Sequence, residues 1–504
     1  MDLLSNLALG FAVALTPQNL LYALIGALLG TLIGVLPGLG PVAAIAMLLP
    51  LVHALDVTTA LIMLAGVYYG AQYGGSTAAI LLDTGGAPNV AAAAVDGQAM
   101  ARQGRAGAAL AAAGLGSFVA GCIGTVVIAA LAPPLTDVAF NFGPAEYVSL
   151  MVAGLIGAVV LAAGSLLKAV AMIVLGLLLA QIGTDVIWQV PRFSFGLAEL
   201  RGGIGFVVVA IGMFGLGEVI ATLAQPAAPR TLFSTKLKDL WPTRQDLRDA
   251  WPAMLRGSAL GAVLGMLPGG GALLASVAAH AVEKTTPGRR GEAEFGKGNI
   301  RGVAGPESAN NAGAQTSFVP MLALGVPPNA VMALMIGAML IKGVPPGPSL
   351  LAAHPQLFWG LVASMWAGNL MLLVLNLPLV GLWIRLLRLP YRWLAPLLVL
   401  LCCAGVYSLR SSALDVALCA LFGAAGYALR QLGCETAPLL LGFILGPTLE
   451  QNLRHALQLS GGDWSVFVSR PLSVGLLIAA ALMIVVVWLP NVNKRREVAF
   501  VETE

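Results

Sequence analysis

Apolar runs long enough to cross a bilayer constrain this chain more than anything else in it. The segments 20–36, 107–131, 147–161, 166–182, 204–223, 358–377 and 472–489 are almost free of charge. They approach or pass the ~20 residues that span about 30 Å of hydrocarbon. Only 10% of the 504 residues are charged and the mean hydropathy is +0.89, whereas soluble domains carry about 25% charged residues. Backbone groups in hydrocarbon must be satisfied internally, and no strand pattern here could close a barrel, so the spans are helices. Counting shorter and broken segments gives roughly 11–13 crossings. The expected fold is an all-α polytopic membrane protein of about 12 transmembrane helices.

Two of the hydrophobic stretches are interrupted in the same way. "GVLPGLGP" occupies 34–41 and "GMLPGGGA" occupies 265–272, 231 residues further on. Pro and Gly hold a helix together poorly. A broken helix inside a membrane is tolerated only against protein or a wet cavity. In return it offers free N–H groups and a helix N-terminus to an anion, and its exposed carbonyls can hold Na⁺. Gly38, Gly40, Gly269 and Gly270 would let backbone approach a ligand closely. A plain kink or tight helix packing explains one such break; two in matching places favour a binding role.

Charge sets the expected topology. No Lys or Arg precedes Arg102, which places the N-terminus outside. The polar stretch 225–252 carries Arg230, Lys236, Lys238, Arg244 and Arg248, and reads as cytoplasmic. So do 385–392 and the tail with Lys494, Arg495 and Arg496. The linker divides the chain into a first membrane repeat (1–224), the linker itself (225–252), a second repeat (253–450), and a C-terminal transmembrane helix with a cytoplasmic tail (451–504). The halves then start on opposite sides of the membrane, as inverted-topology repeats do. Segment 85–100 also matches 325–340 at an offset of 240, pairing Gly85, Pro88, Asn89, Ala93 and Gly97 with Gly325, Pro328, Asn329, Ala333 and Gly337. The basic loop 283–301 is cytoplasmic only if the second Pro-Gly break is a re-entrant hairpin rather than a broken crossing.

Polar residues cluster beside these breaks. Ser76 and Thr77 follow a Gly pair, and Ser308, Asn310, Asn311, Gln315, Thr316 and Ser317 fall within 305–329. Such groups are expensive to bury and mark a ligand path, or else hydrogen bonds between helices. Substrate contacts are assigned to Gly38, Gly40, Ser76, Thr77, Asn89, Gly269, Gly270, Asn310, Asn311, Thr316, Ser317 and Asn329. Ionisable residues in or near apolar sequence are Asp83, Asp96, Lys168, Asp185, Glu218, Glu307, Lys342 and Asp415. Glu307 and Asp83 are the candidates for coupling to a cation.

Other chemistries find little support. The net charge of +4, spread over short loops, points to no nucleic acid. The five cysteines lack metal spacing and read as small core residues. "GEAEFGKG" (291–298) nearly matches a phosphate loop, but Gly298 stands where Ser or Thr would bind Mg²⁺ and no strand precedes it. The four histidines form no ligand pair. No cofactor or catalytic residue is expected. An intramembrane hydrolase built on Ser76 or Ser308 with His280 is a remote alternative.

Several segments resemble the large membrane subunit of the tripartite tricarboxylate transporters. They are "GVYYGAQYGGSTAAILLDTGGAP", "VDGQAMARQGRAGAAL", "QIGTDVIWQVPRFSFGLAELRGG" with "GMFGLGE", and "GVAGPESANNAGAQTSFVPMLALGVPP" with "KGVPPGP". The resemblance covers about residues 18–450. It implies a permease of the bacterial inner membrane that works with a small membrane subunit. It also implies a periplasmic solute-binding protein that delivers a carboxylate, and coupling to a cation. One departure is Asp83 and Gly85, where the family commonly has Asn and then Pro-Gly. With no ATPase motif, the expectation is secondary-active uptake of a di- or tricarboxylate driven by Na⁺ or H⁺. A carboxylate channel without accumulation is the rival.

Overall fold

A computed structural model describes residues 3–36, 39–82, 90–162, 165–185, 187–224, 233, 240–268, 271–288, 292–387 and 391–488. The first half carries α1 (Leu3–Ala14), α2 (Pro17–Val35), α3 (Pro41–Leu48), α4 (Val57–Leu81), α5 (Ala91–Arg102), α6 (Ala106–Ala139), α7 (Pro144–Leu161) and α8 (Leu166–Leu179). A two-residue hairpin, β1 (Gly183–Thr184) with β2 (Pro191–Arg192), follows. Then α9 (Phe206–Ala210) and α10 (Gly217–Ala224) run on from one another through a π-helical turn at Ile211–Leu216. The second half carries α11 (Arg244–Leu264), α12 (Gly271–Thr285), α13 (Arg301–Thr316), α14 (Phe318–Leu324), α15 (Ala330–Ile341), α16 (Ser349–Ala353) and α17 (Pro355–Asn376). It ends with α18 (Val380–Leu387), α19 (Tyr391–Arg410), α20 (Ala413–Gln431), α21 (Ala437–Leu459), α22 (Val466–Ser469) and α23 (Pro471–Trp488).

The all-helical membrane character holds, but the count of spanning helices is coarser than expected. Among the described residues, six helices are long and apolar enough to cross a membrane: α2, α6, the α9–α10 unit, α17, α19 and α20. α1, α7, α8, α15 and α23 are apolar but shorter. α4 shows why hydropathy undercounts. It is 25 residues long and buried along nearly its whole length, yet carries Gln72, Ser76 and Thr77. A helix wrapped in protein has no need of a lipid-facing surface.

Small residues decide how the central helices pack. A Cβ at Gly26, Gly30 or Gly34 would strike the backbone of Met63, Val67 or Ala71. Gly66, Gly70 and Gly74 meet α2 in the same way. This is the close approach of small-residue repeats in membranes. Because both numberings rise together, α2 and α4 are parallel. The second half repeats the arrangement, with Gly257, Gly261 and Gly265 of α11 against Gly305, Ala309 and Gly313 of α13. Two parallel neighbours need a returning segment between them. In the second half that segment is α12, which runs antiparallel to α13: Gly313 meets Ala272, and Gly305 meets Glu283. α11 and α12 therefore form a hairpin, and the end of α12 and residues 292–300 lie on the side where α11 began. In the first half α3 lies in the returning segment. Gly40 is its N-cap, with φ −84° and ψ 175°. Gly38, Gly269 and Gly270 lie outside the described residues.

The two groups cross in opposite senses. Gln72 meets Asn310 while Ser76 meets Glu307, so α4 and α13 are antiparallel. One face of the molecule gathers basic termini. Arg105 pairs with Asp246 at 2.5 Å, and Gln103 donates to the Lys297 carbonyl at 2.9 Å. Asp96 Oδ1 accepts from the backbone of Gly296, Gly298 and Asn299 at 2.8, 3.0 and 2.9 Å. Arg301, 3% exposed, joins Glu283 and Glu292 there, and Arg256 shares Glu283. On the opposite face Lys342 donates to the carbonyls of His53 and Leu55, and Arg470 pairs with Glu146 at 3.1 Å.

Candidate functional site

The antiparallel crossing of α4 and α13 builds a polar cluster in the protein interior. All 16 residues of α13 are buried. Glu307 lies two turns into it and is 0% exposed. Its Oε1 accepts from Ser76 Oγ at 2.6 Å, Asn311 Nδ2 at 2.9 Å and Ser117 Oγ at 3.2 Å. Asn311 also donates to Ser117 Oγ at 2.8 Å, which locks the set together. Asn310 Nδ2 donates to Gln72 Oε1 at 3.3 Å.

Much hydrogen-bonding capacity is left unused. Glu307 Oε2, Asn310 Oδ1, Ser308 Oγ, Tyr69 Oη and both side-chain polar atoms of Gln315 are buried without a partner. Buried polar atoms are normally paired, and an isolated buried charge is strongly disfavoured. Among the described residues no Lys or Arg forms an ion pair with Glu307. The carboxylate therefore calls for a proton or a cation when it is buried.

The structure brings Ser76, Asn310, Asn311 and Glu307 together. Thr77 lies beside them on a small cavity but spends its hydroxyl on the Tyr73 carbonyl at 3.1 Å. Thr316 and Ser317 likewise bond their own helix, at Ala312 and Ala314. Asn329 caps α15 through the Met332 N–H at 3.0 Å. Asp83 and Asn89 lie outside the described residues. Lys168, Asp185, Lys342 and Asp415 fall at helix ends or in loops, and Glu218, inside the α9–α10 unit, pairs with Arg430 at 2.7 Å. Among the described residues the hydrolase alternative finds no catalytic pair: Ser76 bonds Gln72 and Glu307, Ser308 Oγ has no hydrogen-bond partner, and His280 Nε2 faces Asp96 at 3.7 Å. Ser117, Gln72 and Asn376 escaped the sequence reading. Only the serine's place in a glycine-rich apolar run, "GLGSFVAG", hinted at close packing beside a polar group.

A second, larger cavity of about 510 Å³ opens at the face opposite the basic loops. Arg192 and Arg454 bridge Asp185 and Glu450 along its wall at 2.6–3.0 Å. The backbone N–H of Trp188 and then that of Ile187, with Arg454 and Arg192, hold the Asp185 carboxyl below the usual range against the cost of burial.

The tripartite tricarboxylate transporter TctA family model matches residues 20–441, a span that includes α4, α13 and every side chain on Glu307. The chain is 50% identical, over all 504 residues and the whole of its relative, to an uncharacterized 52.8 kDa protein in the TAR-I ttuC' 3'region of Agrobacterium vitis. An uncharacterized protein in the TAR-II ttuC' 3'region of the same organism is 50% identical over 244 residues, 48% of this chain and all of that protein. No solved structure matches. With a buried polar crossing inside a helical membrane protein and a family match over most of its length, the chain belongs to the tripartite tricarboxylate transporter TctA family.

Proposed function

We propose that this protein is the large permease subunit of a tripartite transporter, and that it takes up an organic di- or tricarboxylate by secondary active transport. The observation that carries this reading is the buried, uncompensated Glu307 at the crossing of two oppositely directed helix groups. A carboxylate there gives the inward and outward states a group whose charge depends on a bound cation. The family match supports a small membrane subunit and a solute-binding protein as partners. The repeated glycine contacts of α2 with α4 and of α11 with α13 support a duplication, and the antiparallel crossing supports its inversion. The concentration of basic termini on one face supports a cytoplasmic side there. In a bacterial inner membrane the binding protein would then approach the face that holds Arg192 and Arg454. The match to a transporter family supports transport rather than catalysis as the proposed role.

The test is uptake of labelled citrate and related di- and tricarboxylates into membrane vesicles carrying this subunit with its partners. Imposing Na⁺ and H⁺ gradients separately should reveal accumulation above the external concentration. Equilibration without accumulation would identify a channel instead.

A further inference from the structure

Beside Glu307 lies a cavity of about 20 Å³, room for one water-sized species. Its polar lining is Tyr73, Ser76, Thr77, Ser117 and Asn376. The hydroxyl protons of that lining are already committed inside the protein. Tyr73 donates to the Gly114 carbonyl at 3.3 Å and Thr77 to the Tyr73 carbonyl at 3.1 Å. Ser76 and Ser117 donate to Glu307 Oε1. The amide nitrogen of Asn376 is held by the Leu372 carbonyl at 2.9 Å, and its buried Oδ1 has no partner. Apart from the second N–H of Asn376, lone pairs are what remain to face the cavity. An anion would find no hydroxyl donor there, so the substrate carboxylate does not belong in it. A hard cation prefers such an oxygen shell.

We propose that this cavity is a monovalent-cation site of sodium size. Ser76, Thr77, Ser117 and Asn376 would supply neutral oxygens, and Glu307 would supply the negative charge from behind the two serines. The cavity is too small for a hydrated ion, so the ligands replace its water, as carbonyls do in selective pores. The role of the site in transport rests on the cation-coupled reading above. It also moves Ser76 and Thr77 from substrate contact to ion contact.

The test uses the purified full-length protein in nanodiscs. Thermal unfolding is followed while sodium chloride replaces choline chloride at constant ionic strength, with potassium chloride as a second series. A ligand that binds only the folded state raises the unfolding temperature saturably. Sodium should do so and potassium should not. Asn376→Leu should raise the half-saturating sodium concentration by about tenfold or more, equivalent to about 1.4 kcal/mol. Thr77→Val, which keeps the shape and removes one oxygen, should act in the same direction and serves if Asn376→Leu does not fold. Equal shifts in all salts, or a sodium shift untouched by either variant, overturns the site. Stabilisation by lowered pH alone overturns it in favour of a proton on Glu307. A sodium shift with gradient-independent uptake keeps the site and sinks the coupling reading; driven uptake with no sodium shift does the reverse.

Discussion

Ser76 donates its hydroxyl to Glu307 Oε1 at 2.6 Å, joining α4 to α13 across 231 residues of chain. This contact closes the antiparallel crossing and fixes the carboxylate. Glu307→Gln keeps the size and removes the charge, so uptake should lose its dependence on the cation gradient. The half-maximal cation concentration should shift by about tenfold or the dependence vanish, on the scale of typical coupling free energies. Uptake rate against cation concentration, at equal membrane content, checks this. Superimposable curves for wild type and Glu307→Gln would leave Glu307 as a structural group.

Packing makes a separate demand. A side chain at Gly30 or Gly261 would have to push apart the backbones of α2 and α4, or of α11 and α13. Overpacking of this kind costs about 1–3 kcal/mol, and here both helices would have to move. Gly30→Leu and Gly261→Leu should each lower the unfolding temperature of the purified protein and its yield in membranes. Gly75→Ala in the same α4, where a Cβ meets nothing within 4 Å, should be close to neutral. A Gly75 variant as damaging as Gly30→Leu would show that the close contacts are not the cause.

These contacts also show what a linear reading can reach. Fold class was legible because apolar length is a local property. The two Pro-Gly segments stand in the same order in the chain, but Gly38, Gly269 and Gly270 lie outside the described residues. Glu307, Asn310 and Asn311 stood out as polar residues in a helix that lipid could not accept. Ser117 and Gln72 did not, because one serine or one glutamine is cheap in any helix and gains meaning only from what lies opposite. Thr316 and Ser317 were equally visible, yet their hydroxyls bond their own helical turn, as hydroxyls in a buried helix can. Asn329, also assigned to the substrate, caps α15. The number of spans was less legible, because segments shielded by protein, such as α4, carry polar residues that hide them from a hydropathy count.

Asp96 and Lys342 tie the halves together with opposite chemistry. Asp96 accepts three backbone N–H groups from the loop after α12, and Lys342 donates to two carbonyls beyond α3. Hydrogen bonds to a charged group contribute about 1.5–3 kcal/mol. Asp96→Ala should therefore expose loop 286–300 to limited proteolysis, several-fold faster than wild type. Lys342→Ala should leave that loop protected and loosen 51–56 instead. Equal cleavage of the loop in Asp96→Ala and wild type would refute the anchoring role.

Topology follows from the hairpin of α11 and α12. If the second break were a full crossing, loop 286–300 and the start of α11 would lie on opposite sides. Their shared contacts with α5 and with the turn before α6 place them on one face. Trp464, 64% exposed, belongs to the other face, in the loop that leads to Arg470 and Glu146. Lys297 and Trp464 are thus exposed reporters for the two sides. In a chain with its five native cysteines replaced, single cysteines at these positions can be probed with an impermeant thiol reagent. Intact cells should label Trp464→Cys and not Lys297→Cys, and permeabilised cells should label both. Arg248→Cys should follow Lys297→Cys, because α11 begins on the basic face that the positive-inside rule assigns to the cytoplasm. Labelling of Lys297→Cys and Arg248→Cys from opposite sides would replace the hairpin with a crossing, and would count against the proposed inversion of the two halves.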